Sequence, residues 1–244
     1  MTTASERLES GVLPELAWQA VGQVRDPELD EPITDLGFVR ELTVFDTDAG
    51  GPGSGVRVRL RLPTYFCAPN FAYLMVADAR DALRELPGVA EVQVRLEDHF
   101  AAEEINAGVA SDAGFTGSFP GETTDELHEL RRTFQRKAHF ACLDRVCGHL
   151  IDQGWDIEAL ADVRLREVPE SAGRAGLLRR RRDLGLSTAA DDLVLVDDKG
   201  RAVPTRERAR TLRFAQTVRV SLEGNSAFCR GLLSTRYGDR EGSR

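Results

Sequence analysis

Nowhere in its 244 residues does this sequence hold an apolar run of about 18 residues, the length a helix needs to cross a bilayer, so no membrane span is expected. Its polar opening, Met1 to Ser10, has no hydrophobic stretch. It is read as lacking a secretion signal, which makes a cytoplasmic location the expectation. Four cysteines (Cys67, Cys142, Cys147 and Cys229) are too few for a disulfide scaffold of this size. In a cytosolic chain they are expected as thiols, ligands or core residues. Lysine is almost missing, with Lys137 and Lys199 the two among 32 basic residues. There is no phosphate-cradling glycine loop, no Gly-x-Ser-x-Gly elbow, no His-Glu-x-x-His and no paired Cys-x-x-Cys. Those absences remove the common hydrolase, nucleotide-binding and zinc-module readings.

Positive charge is also scarce where it would matter. Met1 to Gly121 holds 9 basic and 20 acidic residues, net −11, while the remainder is net +3, giving −8 for the chain. Phosphate contacts need a basic face, so the acidic first half argues against a nucleic-acid partner.

What is present is patterned. Leu13 to Val24 reads as a short helix ended by Pro27, because the residue before a proline is pushed out of the helical region. Phe38 to Phe45 reads as a strand. Val56 to Leu62 alternates without a fault, with Val56, Val58, Leu60 and Leu62 facing a core and Arg57, Arg59 and Arg61 facing water. The glycine-rich Asp46 to Gly55 between them predicts a hairpin tip. Pro69 suits a helix's first turn, and Phe71, Leu74, Met75, Ala79, Leu83 and Leu86 lie inward before Pro87-Gly88 closes it. Val89 to Glu97 alternates again. The order helix, strand, strand, helix, strand predicts an α+β fold, a two-layer α/β sandwich, over residues 1–106. A linker is read over 107–124, rich in Gly, Ser and Thr. A mainly helical second domain is expected over 125–244, with helices at Asp125–Ile151, Ala172–Leu184, Thr205–Leu222 and Ser226–Tyr237 and a short strand at Leu193–Val196.

Two segments exceed what a fold requires. One is Asp26-Pro27-Glu28-Leu29 with Ile33-Thr34-Asp35-Leu36-Gly37-Phe38-Val39; the other is Leu62-Pro63-Thr64-Tyr65-Phe66-Cys67-Ala68-Pro69. Cys67 lies just ahead of a helix start, where unpaired N–H groups and the positive dipole end lower a thiol pKa. Ala68 is a poor cap and is expected to leave those donors free. The plain alternative is a half-buried loop cysteine. For Asp26 and Asp35 the plain alternative is acceptance of turn N–H groups, with Gly37 supplying a backbone angle other residues avoid. Phe71 is expected in the core, and Tyr65 and Phe66 exposed for docking.

In order and spacing these signatures, with the closing Leu86-Pro87-Gly88-Val89, resemble the small iron–sulfur assembly-factor family that includes PaaD-like and SufT-like proteins. The resemblance covers Leu13 to Asp98. The family pattern has Gly before the cysteine and Pro directly after it, whereas here Phe66 precedes Cys67 and Ala68 intervenes. It implies Cys67 as the main metal ligand, with Asp26, Glu28, Asp35 and Thr64 as cofactor-binding residues. It implies iron or an iron–sulfur cluster as transient cargo, and maturation of a client metalloenzyme of oxygenase type rather than catalysis. Since one cysteine cannot complete a four-thiolate cluster, a homodimer or ligands shared with the client are implied. The second reading is a metal-free adaptor or chaperone for such a complex. A thiol enzyme is a third, but the four histidines offer none near Cys67 in sequence.

In the second domain His139 and Cys142, three apart on one helix, share a face and form a further metal candidate. Cys142 also lies in the stripe Leu127, Leu130, Phe134, Ala138, Val146, which makes it a core residue in the plainer reading. Cys147, about 140° around the helix from it, is expected off that stripe. The run Arg179 to Arg182 is read as a solvated face. No role beyond client recognition is assigned to 125–244.

Overall fold

A computed structural model describes residues 4–47, 53–121 and 124–238. The chain divides into two units, one of residues 1–127 with 226–244 and one of residues 128–225.

The first unit is built on three strands in the order β1 (Val39–Asp46), β2 (Ser54–Arg61), β3 (Val89–Glu97). β1 and β2 pair antiparallel, from Val39 opposite Leu60 to Asp46 opposite Ser54. The tip expected between them falls largely on 48–52, outside the described residues. β3 runs parallel to β2, and a parallel neighbour needs a crossover, which α2 (Pro69–Arg84) supplies. The alternation in β2 works as its sequence requires. Val56, Val58 and Leu60 are buried with Val94 and Leu96 of β3, against Ala72, Met75, Val76, Ala79 and Leu83 of α2 and Ala17 and Val21 of α1 (Ala4–Val21). The other sheet face is charged: Arg40 pairs with Glu97 at 2.8 Å, and Arg59 with Glu41 at 3.0 Å and with Glu97. The α+β class and the helix, strand, strand, helix, strand order are therefore observed.

Boundaries move in three places. Helix α1 begins at Ala4, nine residues earlier than apolar spacing suggested, because a polar lead containing Glu6 and Glu9 carries helix propensity without a hydrophobic stripe. It ends at Val21 with a turn at Gly22, five residues before Pro27. The expected linker over 107–124 is instead largely structure of the first unit. Helix α3 (Ala102–Ala110) and the short α4 (Gly114–Ser118) send Ile105, Val109 and Phe115 into the same core. Gly108 is what lets them close: a Cβ there would sit 1.6 Å from Ser118 Oγ. A glycine and serine composition that reads as a linker is here a requirement of close helix approach. Finally, the two helices expected at the C-terminus are one, α7 (Thr205–Tyr237), since Gly224 interrupts the pattern of side chains but not the backbone.

The second unit takes most of α5 (Thr124–Asp152), two single 3₁₀ turns (Ala159–Ala161 and Leu165–Glu167), α6 (Ala172–Asp183) and the first part of α7. Leu143, Val146, Cys147, Leu150, Leu160, Leu165, Leu177 and Leu195 make its core. Leu193–Val196 is not a ladder strand. It makes single bridges, Arg164 to Leu193 and Val196 to Ala202. Carbonyls that a sheet partner would have taken are met by a side chain: Arg181 Nη2 donates to Leu193 O at 2.6 Å and Val194 O at 2.9 Å. The arginine run is therefore no solvated face at its centre, since Arg181 is 1% exposed and Arg180 is buried beside Asp183 at 2.6 Å.

Candidate functional site

The register places Arg61 opposite Glu97, so β2 and β3 end together and the loops that follow them share one sheet edge. The first loop carries Thr64 and Cys67; the second carries Asp98, His99 and Phe100. They are tied by Phe100 N–H donating to Tyr65 O at 3.1 Å and by His99 Nε2 to Cys67 O at 2.7 Å. A carbonyl only accepts, so Nε2 holds the proton, and His99 Nδ1 is left to accept from Ala101 N–H at 3.2 Å. Both ring nitrogens are then satisfied by the neutral ring. Burial holds the His99 pKa below its ordinary value, the bond to Cys67 opposes that, and the Arg236 charge adds to the lowering.

Cys67 is half-buried, and its sulfur lies 3.3 Å from Thr64 Oγ, either atom able to donate. Phe66 N–H donates to that same hydroxyl at 3.2 Å. With one lone pair so occupied, the Thr64 hydroxyl still has a proton that it can donate to sulfur. The helix start contributes less than its sequence suggested. Ala68 caps α2 with no side-chain bond, but Pro69 has no N–H, and the Phe71 N–H is shared by Asn70 Oδ1 and Ala68 O. Phe71 itself is half-buried rather than in the core.

Around this cysteine the surface is aromatic. Phe66 is 77% exposed, and Tyr65 and Phe100 are each 47% exposed. Their rings lie 5.1 Å (Tyr65–Phe66) and 6.0 Å (Phe66–Phe100) apart, with His99 against Phe100 at 4.9 Å.

Asp26 sits in the other signature. Its Oδ1 accepts from Glu28 N–H and Leu29 N–H, both at 2.8 Å, so it caps the turn begun by Pro27. Burial pushes its pKa up to about 6 against the lowering effect of those two bonds, with the Glu28 and Glu31 charges adding to the rise. Glu28 is half-buried on the same turn. Asp35 is exposed and accepts from Thr34 Oγ at 3.2 Å. Gly37 adopts φ +76°, as a turn-forming glycine should.

The last turns of α7, which belong to this unit, complete the edge. Arg236 donates to Leu62 O at 3.1 Å and to Asp98 O at 2.7 Å, joining the two loop bases. Tyr237 OH donates to Asp98 Oδ2 at 3.2 Å, and Leu233 packs where a Cβ on Gly37 would be 3.2 Å away. Cys229 packs on the same core as Cys67, and its thiol feels the charges of Asp26, Cys67 and Glu28. Burial foremost, then those neighbours, pushes it up to about 11. His99, Phe100 and Arg236 were invisible as site residues in the sequence. His99 follows a strand whose parallel partner was not assignable, and Arg236 lies 169 residues beyond Cys67.

Both residues of the second-domain candidate lie in the interior. His139 is fully buried, its pKa lowered to about 4 by burial and then by the Arg181 charge. Cys142 is buried, with Arg145 Nη1 at 3.9 Å from its sulfur. Cys147 is also buried, 1% exposed, and burial pushes its thiol up to about 12. It was expected off the apolar stripe. α5 is covered over a wider arc than one stripe, so both cysteines serve the core. Among the described residues no group of three His, Cys, Asp or Glu side chains is gathered to hold a metal ion.

Comparison with known proteins matches the region that carries the Asp26 turn and the Cys67 loop. Residues 15–94 fit the family model described as iron–sulfur cluster assembly protein. An uncharacterized protein of Methanocaldococcus jannaschii is 30% identical over 87 residues, 36% of this chain and 83% of that protein. No solved structure matches. Through the domain that places Cys67 at the end of its central strand, the chain belongs to the iron–sulfur cluster assembly protein family.

Proposed function

We propose that this protein is a maturation factor that holds iron, or an iron–sulfur cluster, at Cys67 and delivers it to a client metalloenzyme without turning over a substrate of its own. A role in cluster assembly follows from the family; transient binding at Cys67, the client and the delivery step are the proposal. The observation that carries it is the setting of the Cys67 thiol. Thr64 Oγ stands 3.3 Å from the sulfur, His99 holds the Cys67 carbonyl at 2.7 Å, and three exposed aromatic rings border the loop. A cargo site needs an incomplete ligand set, so that the client can supply the rest, and a surface that brings the client to it. Aromatic side chains with a large apolar face are the residues that anchor such docking. An oxygenase-type client is the first to test.

The experiment is to produce the client beside the wild-type protein and beside Cys67→Ala and to measure its iron. Clients under-loaded beside Cys67→Ala support the proposal. Equal loading, with Phe66→Ser reducing it, moves the function to a metal-free adaptor that docks through the aromatic patch.

A further inference from the structure

We infer that the free edge of β3 is a docking site for an extended segment of another protein, taken up as a fourth strand. That segment carries apolar residues at alternate positions and an acidic residue opposite Arg95. The inference goes beyond the reading of Cys67 and does not depend on it.

The backbone fixes which groups are on offer. β3 pairs with β2 without a shift in register from Glu91 to Glu97, so the N–H and C=O groups of successive residues point alternately toward β2 and away from it. Leu96 points away. Its N–H donates to Asn106 Oδ1 at 2.8 Å, and its C=O accepts from Asn106 Nδ2 at 2.9 Å. The Asn106 amide thus makes the pair of bonds that a neighbouring strand would make. Val94 and Val92, two and four residues earlier, point the same way, and among the described residues nothing takes their N–H and C=O groups. Edge strands are commonly blunted by a bulge, a proline or shortness. The opposite edge, β1, has such an irregularity between Val39 and Glu41, whereas β3 runs for nine residues with no proline.

The space beside the edge suits a strand. α3 packs on both β3 and α2, and a groove of about 630 Å³ lies between it and the edge, lined by Ala102, Ala107 and Ala110. Side chains this small leave room for inward-facing valines of an incoming strand, and Glu103, also in the groove, disfavours acids there. On the open face of the sheet Arg95 is exposed and has no carboxylate partner among the described residues. Beside it Arg57 donates to Gln93 Oε1 at 2.8 Å, and Glu91 accepts from Gln93 Nε2 at 2.6 Å. An antiparallel segment complements this row with an acid against Arg95, a polar residue against Gln93 and a base against Glu91. A second copy of this chain fits less well. Pairing β3 with itself would bring the other copy's α3 under the junction that this chain's α3 already fills, so the occupant is a segment without a helix layer of its own.

The test uses the full chain and the end-capped peptide Ser-Glu-Val-Thr-Val-Lys-Ser, read by residue-resolved amide hydrogen exchange and by the anisotropy of a fluorescent label on the peptide. In the free protein the Val92 and Val94 amides should exchange faster than those of Gln93 and Arg95, which the β2 ladder holds. Saturating peptide should protect Val92 and Val94. Methylating the amide nitrogens of the two peptide valines removes the donors that face β3 and should abolish binding. Arg95→Glu sets like charges opposite one another and should weaken binding roughly 2- to 30-fold, and lysine in place of the peptide's glutamate should restore it. Equal affinity of wild type and Arg95→Glu refutes the acid opposite Arg95. Undiminished binding of the methylated peptide, binding without protection of Val92 and Val94, or no binding at millimolar peptide overturns the docking edge. A dimer with both amides protected before peptide is added overturns it in favour of a second copy.

Discussion

Replacing Asp26 with asparagine should stabilise the protein at neutral pH while leaving its turn intact. The carboxylate caps that turn with one oxygen, Oδ1, which accepts from Glu28 N–H and Leu29 N–H. An amide oxygen can accept both bonds, so the cap survives in Asp26→Asn and is lost in Asp26→Ala. What the amide removes is a buried charge. Burial raises the Asp26 pKa from 3.8 to about 6, and at about 1.4 kcal/mol per unit that is up to about 3 kcal/mol against the ionised form in the folded state. The direction follows from linkage. A folded pKa above the unfolded one favours the folded state while the group is protonated, so this contribution is full below about pH 4 and is lost as pH rises through about 6. Urea unfolding of wild type and Asp26→Asn should therefore coincide near pH 4, separate between pH 4 and 6, and differ by about 1–3 kcal/mol above pH 7. Asp26→Ala should instead be less stable than Asp26→Asn at every pH, by about 1 kcal/mol for the lost cap. If Asp26→Asn is less stable than wild type at pH 7, the two N–H bonds outweigh burial and the reasoning fails.

The remaining predictions concern other residues. His139, with its pKa lowered to about 4, supports the fold above its unfolded value of 6.5, and that support, up to about 3 kcal/mol, should disappear as pH falls from 6.5 to 4. Trp155 fluorescence in a Trp18→Phe background reads this in the second unit. Cys147→Ser should cost about 1–3 kcal/mol by placing a hydroxyl in an apolar core, measurable by urea midpoint, with client loading unchanged. Arg236→Ala removes the donors to Leu62 O and Asp98 O and should cost about 1–3 kcal/mol while speeding alkylation of Cys67. An unchanged alkylation rate would mean that the two loops hold their places without the helix.

Much of the first unit was legible because its signals are local. The strict alternation in Val56–Leu62 and Val89–Glu97 reports which residues face a core, and Pro69 and Pro87-Gly88 mark the limits of the crossover helix. Cys67 was legible for the same reason, as a motif on one loop. Elements that exist through tertiary partners were not. Gly108 reads as linker composition until Ser118 is seen against it, and Leu193–Val196 reads as a strand because nothing local reveals that Arg181 will take its carbonyls. Cys147 was misjudged by assuming one buried stripe on a helix buried over a wider arc. His99 and Arg236 reach the site through parallel pairing and a returning helix, long-range events with no signature in neighbouring residues.

The account's central claim is that Cys67 carries the cargo. Its most direct measurement is the iron bound per chain after oxygen-free reconstitution of the full protein with ferrous iron and sulfide, compared between wild type and Cys67→Ala. Wild type should retain iron through desalting, and Cys67→Ala should retain almost none while melting at the same temperature, because a half-exposed loop thiol buries little apolar area. Equal iron in the two proteins would contradict the claim.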